Sequence, residues 1–263
     1  MIASVAQAFL VDRIKRKAVL ELHRTAAGEA ALLEMYLAGE SLPESDRMFG
    51  ELARLAPPWL AAQLAGQEVD ERRHADLLRA RIAELGEAGE GGERRQQMAL
   101  AAFKLGRLTR LVDAFESEFE AGRVVPLVAV VLTLERTLAR VMRRHRDALE
   151  SAAGPRQTAD LLSAILNDET RHVRDCERAL DRLVRPVEKL SIARLMDEAE
   201  SVDRSFGVTG AVGMLALGVA LRCVATVRRA AGTLGRAVQP HAEEEERQPE
   251  VHAAAGCAVE RRP

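Results

Sequence analysis

Two five-residue segments of the chain carry the same pattern of charged side chains. Residues 70–74 (DERRH) and residues 168–172 (DETRH) share the form D-E-x-R-H. Residues three apart lie on one face of an α-helix, so the glutamate and the histidine of each segment can reach one point. A carboxylate oxygen and an imidazole nitrogen that converge in this way are common ligands of iron, manganese and zinc. The repeat therefore predicts two halves of a metal site.

The repeat is a stronger signal than either half alone. With 40 acidic residues and six histidines in 263 positions, about one acid-x-x-His pair is expected by chance. The complete five-residue form is far rarer, and both copies lie within long segments of helical apolar periodicity. The context is the one that a helical metal site requires.

Two further glutamates stand on apolar helix faces. Glu29 lies on the inner face of the first long helical segment, and Glu135 is the only acid within residues 123–146. An isolated ionisable residue in such a position indicates a candidate site. For Glu135, the alternative is a partly exposed glutamate paired with Arg136 or Arg140.

The candidate ligand set combines one glutamate from each of two helices with one E-x-x-H pair from each of two others. Four carboxylates balance the charge of two divalent ions, and the oxygen-rich set favours iron or manganese over structural zinc. We expect the two motif glutamates to bridge the ions. The predicted ligands are Glu29, Glu71, His74, Glu135, Glu169 and His172, with Asp70, Asp168 and Tyr36 around them.

The motif aspartates are expected to orient the histidines. A metal-bound histidine usually donates its other ring N–H to a carboxylate, which determines its tautomer. We predict that Asp168 accepts from His74 and that Asp70 accepts from His172, across a pseudo-two-fold axis. The alternative is that both aspartates are surface acids paired with the arginines of the motifs.

Composition favours an all-α protein. Apolar residues make up 48% of the chain and aromatic residues only 3%, and the abundant Ala, Leu, Arg and Glu favour helices over strands. The net charge of −2 gives no reason to expect nucleic-acid binding. The three cysteines, Cys176, Cys223 and Cys257, are far apart, which argues against a disulfide framework or an iron–sulfur centre and favours a cytoplasmic location. The N-terminus lacks the basic region and cleavage site of a signal peptide.

Apolar periodicity predicts four long helices that carry the ligands within a domain of residues 1–186. Residues 98–119 have no ligands, and we interpret them as a long crossover between the second and third of these helices. The alternative is that this segment is itself a core helix. The four helices are predicted at residues 11–38, 57–84, 126–149 and 158–183, with a brief helical piece at 44–55.

The C-terminal part differs in character. Residues 187–238 are predicted to form a helical extension, in which residues 206–227 contain a single charged residue, Arg222. This segment is long enough to cross a bilayer. It is either a further helix packed on the core, a membrane anchor or a contact between copies in a homo-oligomer. Residues 239–263 are predicted to be a disordered tail.

The ligand pattern resembles that of the ferritin-like di-iron carboxylate superfamily. The segment AGE at residues 27–29 resembles the first-helix signature of rubrerythrins and of the demethoxyubiquinone hydroxylase family, and the later ligands follow in the same order. The resemblance covers about residues 14–184. The chain lacks the rubredoxin cysteines of rubrerythrin and the apolar insert of the quinone hydroxylases, and it has a longer C-terminal extension than classical ferritin.

The resemblance implies an antiparallel four-helix bundle with a long crossover between helices 2 and 3, to which the chain adds an apolar C-terminal helix. It also implies two bound iron ions, with manganese as the alternative, and redox chemistry that uses O₂ or peroxide. The chain would then be a di-iron oxidoreductase, an oxygenase, hydroxylase or peroxide scavenger, with an unidentified electron donor. No catalytic residue is expected beyond the ligands. The alternatives are an iron-oxidising storage protein and a metal-free interaction bundle.

Overall fold

The computed structural model describes the backbone of residues 2–40, 43–86 and 91–237, and the side chains of residues 12–39, 47–86, 102–204 and 210–231. These backbone ranges are helical and contain no strand, so the predicted all-α class is confirmed for them. Short 3₁₀ turns lie at Glu116–Glu118 and Pro186–Glu188. The α-helices are α1 (Ile2–Leu22), α2 (Ala26–Glu40), α3 (Pro43–Leu55), α4 (Pro58–Glu84), α5 (Gly91–Phe115), α6 (Val124–Ser151), α7 (Arg156–Leu183) and α8 (Lys189–Ala237).

The first predicted helix is interrupted. A single helix over residues 11–38 is wrong, because α1 ends at Leu22 and α2 begins only at Ala26. Thr25 caps α2, since its Oγ1 accepts a hydrogen bond from the backbone N–H of Gly28 at 3.0 Å. A Cβ at Gly28 would lie 2.2 Å from the carbonyl oxygen of Leu22. Only a residue without a side chain fits this close approach.

Helices α6 and α7 form an antiparallel hairpin. The N–H of Gly154 donates to the carbonyl of Leu149 at 2.8 Å across the turn. Far from the turn, Arg136 donates to Glu177 at 2.7 Å. The end of α6 therefore lies beside the turn that leads into α7, and an earlier residue of α6 contacts a later residue of α7. The two helices run in opposite directions.

Helix α4 runs antiparallel to α7. Near its middle, Asp70 meets His172, and near its end, Arg81 meets Thr158, which lies at the start of α7. Since α6 is also antiparallel to α7, helices α4 and α6 point in the same direction. The chain must therefore travel back along them between residues 84 and 124.

Helix α5 occupies this connection and also packs into the core. Phe103 is 58% exposed, but four later side chains of the helix are buried and belong to one apolar cluster with α3 and α6. The segment predicted as a crossover thus contributes a core face, as in the alternative interpretation. The four buried side chains are Leu105, Leu108, Val112 and Phe115.

The apolar C-terminal segment forms part of α8. Gly210–Ala231 is a 22-residue stretch that is long and apolar enough to cross a membrane, with 11% of its most apolar window buried. A Cβ at Gly218 would lie 3.1 Å from Cγ of Glu21, and Arg222 forms an ion pair with Glu21 at 2.8 Å. This part of α8 therefore packs on α1, whereas Val212 on it is 53% exposed.

Beyond Cys223 the chain belongs to a second unit, of which residues 224–237 are described and helical. The predicted domain boundary at 186/187 falls within the 3₁₀ turn before α8 and stays a prediction. The predicted disordered tail, residues 239–263, lies outside the described residues.

Candidate metal centre

Five of the six predicted ligands come together where α4, α6 and α7 meet. Glu71, Glu135, Glu169 and His172 each offer one ligand atom, and these atoms all lie within 4.8 Å of one another. His74 adjoins them, since its Nδ1 is 3.3 Å from Oε1 of Glu169. Both E-x-x-H pairs and the α6 glutamate therefore form one cluster.

The cluster has two ends, each with one histidine. Glu71 lies between them, because its Oε1 is 3.4 Å from Nδ1 of His172 and its Oε2 is 3.6 Å from Nδ1 of His74. Glu135 Oε2 lies at the His172 end, 3.7 Å from Nδ1 of His172. Glu169 contributes to both ends, because its Oε1 is 3.3 Å from Nδ1 of His74 and it offers a ligand atom to the group that contains Glu71, Glu135 and His172. The separation of the two oxygens of Glu71 is the arrangement expected of a bridging carboxylate.

Several ligand atoms of the cluster are buried without a hydrogen bond. Glu169 is 0% exposed and Glu135 is 5% exposed. Both oxygens of Glu169, Oε2 of Glu135 and Nδ1 of His172 have no hydrogen-bond partner among the described residues. Burial of an ionised carboxylate without such a partner is costly. These atoms therefore require either protons or a cation.

Gln67 is a part of the cluster that sequence reasoning missed. Its Nε2 donates to Oε1 of Glu135 at 2.7 Å, and the residue is 4% exposed. It precedes Glu71 by one helical turn, so it lies on the same inward face of α4. An amide on the ligand face of that helix was the available signal.

Both crossed hydrogen bonds that the sequence predicts are present. His74 Nε2 lies 3.1 Å from Oδ2 of Asp168, and His172 Nε2 lies 3.3 Å from Oδ2 of Asp70. Because a carboxylate accepts, each Nε2 carries the proton and each Nδ1 presents its lone pair to the cluster.

The motif arginines contact the same aspartates. Arg73 pairs with Asp168 and, at 3.0 Å, with Asp70, and Arg171 pairs with Asp168 at 2.9 Å. Each aspartate therefore contacts both a histidine and arginines. Pairing with the histidine and pairing with the motif arginines, which the sequence offered as alternatives, occur together. Burial raises the pKa of Asp168, but the hydrogen bond from His74 and the two guanidinium groups outweigh it and hold that pKa below its ordinary value.

Proton binding inside the cluster is altered by the crowding of carboxylates. Burial, followed by the nearby charges of Glu135 and Glu71, raises the pKa of Glu169 far above its ordinary value. Burial lowers the pKa of His172, but Glu135, Glu71 and Asp70 outweigh it and raise that pKa. In the absence of a cation, the cluster therefore retains protons between its carboxylates.

The structure does not bring Glu29 to the other ligands. Its Oε1 accepts from Arg81 Nη2 at 2.8 Å and Nε at 3.1 Å, and also from the hydroxyl of Thr158. Arg81 lies ten residues from Glu71 along α4, a distance of about 15 Å at the rise of an α-helix. Glu29 therefore belongs to a second buried cluster.

That second cluster is a chain of polar contacts. His23 Nδ1 is 3.4 Å from Oε2 of Glu29, and His23 Nε2 is 2.6 Å from Nε2 of His145. Tyr36, which the sequence places near the metal, instead has its hydroxyl 3.0 Å from Nδ1 of His145. If His23 Nδ1–H faces the carboxylate, His145 Nε2–H donates to His23 and Tyr36 O–H donates to His145.

The pKa values in this second cluster follow from burial and pairing. Burial raises the pKa of Glu29, but hydrogen bonds from His23, Thr158 and Arg81 outweigh it and lower the pKa to about 2. Burial and the neighbouring His23 lower the pKa of His145 to about 3. The neutral imidazole and the ionised carboxylate are therefore the stable forms near neutral pH.

Comparison of the chain with models of protein families, with curated proteins and with solved structures returned no match.

Proposed function

We propose that the chain is a ferritin-like di-metal protein, with two iron or manganese ions held by Glu71, His74, Glu135, Glu169 and His172. We further propose that these ions carry out redox chemistry with O₂ or peroxide, which would make the protein an oxidoreductase. The observation that carries the proposal is the group of four buried ligand atoms without hydrogen-bond partners, on Glu135, Glu169 and His172.

The donor set fits hard or borderline divalent metals. Three carboxylates and two imidazoles converge, and no cysteine belongs to the cluster, which disfavours structural zinc. The three carboxylates carry a charge of −3 when ionised, which two divalent ions would more than offset, and this would remove the repulsion that adds to burial in raising the pKa of Glu169. The crossed aspartates accept from each Nε2–H, which leaves Nδ1 as the ring nitrogen that faces the metal position, as a metal ligand requires.

The helix directions support the ferritin-like part of the proposal. Helices α6 and α7 are antiparallel, α4 and α7 are antiparallel, and α5 spans the long connection between the parallel α4 and α6. A bundle with one long crossover is the arrangement of ferritin-like proteins, in which ligands project inward from facing helices.

Residues of the chain would hold and orient the two ions of such a centre. Bound iron or manganese supplies reversible electron transfer at two adjacent ions. Glu71 offers one oxygen to each histidine end, and Glu169 is fully buried beside it. The Asp–His pairs hold the ring orientations.

We expect the two metal positions to differ in affinity. The His172 end has Glu135 as an additional carboxylate. The His74 end lacks the carboxylate that α2 was expected to supply, because Glu29 is paired with Arg81. The ion at the His172 end should therefore bind more tightly.

Anaerobic titration with ferrous iron, followed by elemental analysis of the desalted protein, tests the proposal. The unmodified protein should bind two ions per chain in two phases, and Glu169→Gln should lose at least one. The control is Glu177→Gln, which changes a 43% exposed acid on the same helix and should leave the stoichiometry unchanged. No iron in the unmodified protein, or equal iron in both variants, would contradict the metal site.

Redox activity is tested separately on the loaded protein. Oxygen or peroxide consumption by the ferrous form, measured against the Glu169→Gln variant at equal concentration, should depend on the intact cluster. If metal binds but neither oxidant is consumed above that of the variant, the redox part of the proposal fails while the metal site stands.

A further inference from the structure

A cavity of about 470 Å³ lies between α1, α2, α6 and α8, on the side of the second polar cluster. This volume is within the range of small-molecule sites in proteins. Much of its wall is apolar and is formed by Val19, Leu32, Met35, Val141, Ala211 and Met214.

The cavity is separate from the candidate metal centre. None of the five clustered metal-ligand candidates lines it, whereas His145 does. His145 lies ten residues from Glu135 along α6, about 15 Å at the rise of an α-helix. A ligand in this cavity would therefore not touch the metal ligands.

Among the described residues at the cavity, two cations form no ion pair: the half-buried Lys15 and the exposed Arg16, whose Nη2 donates to the hydroxyl of Ser151 at 2.8 Å. Asp12 is paired with Arg144 at 2.8 Å, and Asp203 is paired with Lys104. Lys15 is half-buried at the same wall, and in the described part of the chain it has no hydrogen-bond or ion-pair partner. Burial and the charge of Arg144 lower the pKa of Lys15, as expected for an ammonium group without its own anion.

The other polar groups of the wall are already paired. Tyr36 and His145 bond to each other at 3.0 Å, and Thr137 donates to Asp203 at 2.9 Å. Among the described polar groups of the wall, Lys15 is thus the one without a hydrogen bond, and it is less exposed than Arg16. A single ammonium balances one negative charge, which favours a carboxylate over a phosphate monoester, whose charge at neutral pH is greater.

We propose that this cavity binds a free amphipathic carboxylic acid of the fatty-acid class, with its chain between α1, α2, α6 and α8 and its carboxylate on Lys15. The apolar wall gains from covering the hydrocarbon chain. The half-buried ammonium gains a charge-assisted hydrogen bond, which is stronger than a neutral one. This proposal does not depend on the metal site.

Calorimetric titration of the full chain with dodecanoate tests the proposal, with dodecanol as the uncharged ligand of equal chain length. We expect saturable binding of one dodecanoate per chain, and binding of dodecanol at least tenfold weaker. Lys15→Met should weaken dodecanoate at least tenfold and leave dodecanol unchanged. Lys17→Met, which removes an exposed lysine two residues away, should change neither.

A second variant tests the position of the chain. Ala211→Phe fills the cavity from α8 and should weaken dodecanoate and dodecanol equally, with folding checked by circular dichroism. It also separates the cavity from the exposed apolar face of α8, where a detergent-like molecule could adsorb. Glu169→Gln should not change dodecanoate binding, so failure of the metal proposal would be distinguishable.

Three outcomes would overturn the proposal. The first is no saturable dodecanoate binding by the unmodified chain. The second is equal affinity for dodecanoate and dodecanol, or equal effects of the Lys15 and Lys17 variants. The third is full binding by a folded Ala211→Phe variant.

Discussion

The described part of the molecule contains two buried clusters built from glutamate and histidine, and they differ in how their atoms are paired. In the cluster on α4, α6 and α7, Glu135, Glu169 and His172 present buried atoms without hydrogen-bond partners. In the cluster around Glu29, the carboxylate accepts hydrogen bonds from Arg81 and a hydroxyl. Among the described residues, no arginine or lysine pairs with Glu135 or Glu169 in the first cluster, whereas Arg81 pairs with Glu29 in the second.

This difference shows that burial of an acid does not by itself identify a ligand site. Glu29 and Glu135 are 4% and 5% exposed, and both stand on apolar helix faces. What separates them is the partner: a guanidinium for Glu29 and an amide for one oxygen of Glu135. The number of unpaired buried atoms is therefore the better indicator of a missing cation.

The largest expected effect is on the paired cluster. Glu29→Gln leaves the guanidinium of Arg81 without its buried anion and should lower the free energy of unfolding by about 3–5 kcal/mol. Urea denaturation measures this. The matched control is Glu84→Gln, which removes a 59% exposed partner of the same arginine and should cost less than about 1 kcal/mol. Similar losses in both variants would show that burial of the Glu29 pair has no special role.

The unpaired cluster should respond in the opposite way. In metal-free protein, Glu169→Gln removes a carboxyl whose ionisation is opposed by burial and by Glu135, so stability should stay equal or rise. Ferrous iron at one hundred times its dissociation constant should stabilise the unmodified protein by about 2.7 kcal/mol and the variant by much less. Anaerobic thermal denaturation with and without iron measures the difference. Marked destabilisation of metal-free Glu169→Gln would contradict the predicted difference between the two clusters.

The aspartates beside the histidines should affect metal affinity more than folding. Asp168→Asn weakens the acceptor for His74 Nε2–H and should lower metal affinity by about 10–100-fold. Competition with a chelator measures the affinity. Asp76→Asn, on a 78% exposed acid of α4, is the control and should have no effect. If Asp76→Asn lowered metal affinity as much as Asp168→Asn, the orientation of His74 by Asp168 would not explain the loss.

The paired cluster should also govern the response to acid. The folded pKa of His145, about 3, lies below its ordinary value of 6.5, so the unfolded chain binds this proton more readily. The stabilisation is complete above pH 6.5 and is lost as pH falls towards 3, by about 1.4 kcal/mol per pH unit. Glu29 adds a loss of the same sign between 4.5 and about 2.

A single variant tests this response. His145→Gln should show a shallower fall in the free energy of unfolding between pH 6.5 and 4 than the unmodified protein, measured by urea denaturation in metal-free buffers. Parallel pH profiles would mean that another group carries the acid sensitivity.

The sequence predicted the parts of the site that depend on local spacing. The i, i+3 relation places Glu71 with His74 and Glu169 with His172, and the preceding aspartates follow from the same helical geometry. The inward position of His145 could also have been predicted from the sequence, because His145 continues the inward face of α6 that carries Glu135 and Met142.

The position of Glu29 could not be predicted in the same way. The register between α2 and α4 depends on packing across the two helices, and the break at residues 23–25 changes where α2 begins. His23 lies in that break, so no helical period indicates its partner. The capping hydroxyl of Thr25 and the close approach at Gly28 were the local signals of the break.

The most direct test of the central claim compares two glutamates that look alike in sequence. Glu29→Gln and Glu135→Gln should be loaded with ferrous iron anaerobically, desalted and analysed for iron per chain, with helix content checked for both. We expect folded Glu29→Gln to retain the iron of the unmodified protein and Glu135→Gln to lose the more tightly bound ion. Loss of iron from folded Glu29→Gln together with full retention by Glu135→Gln would contradict this expectation.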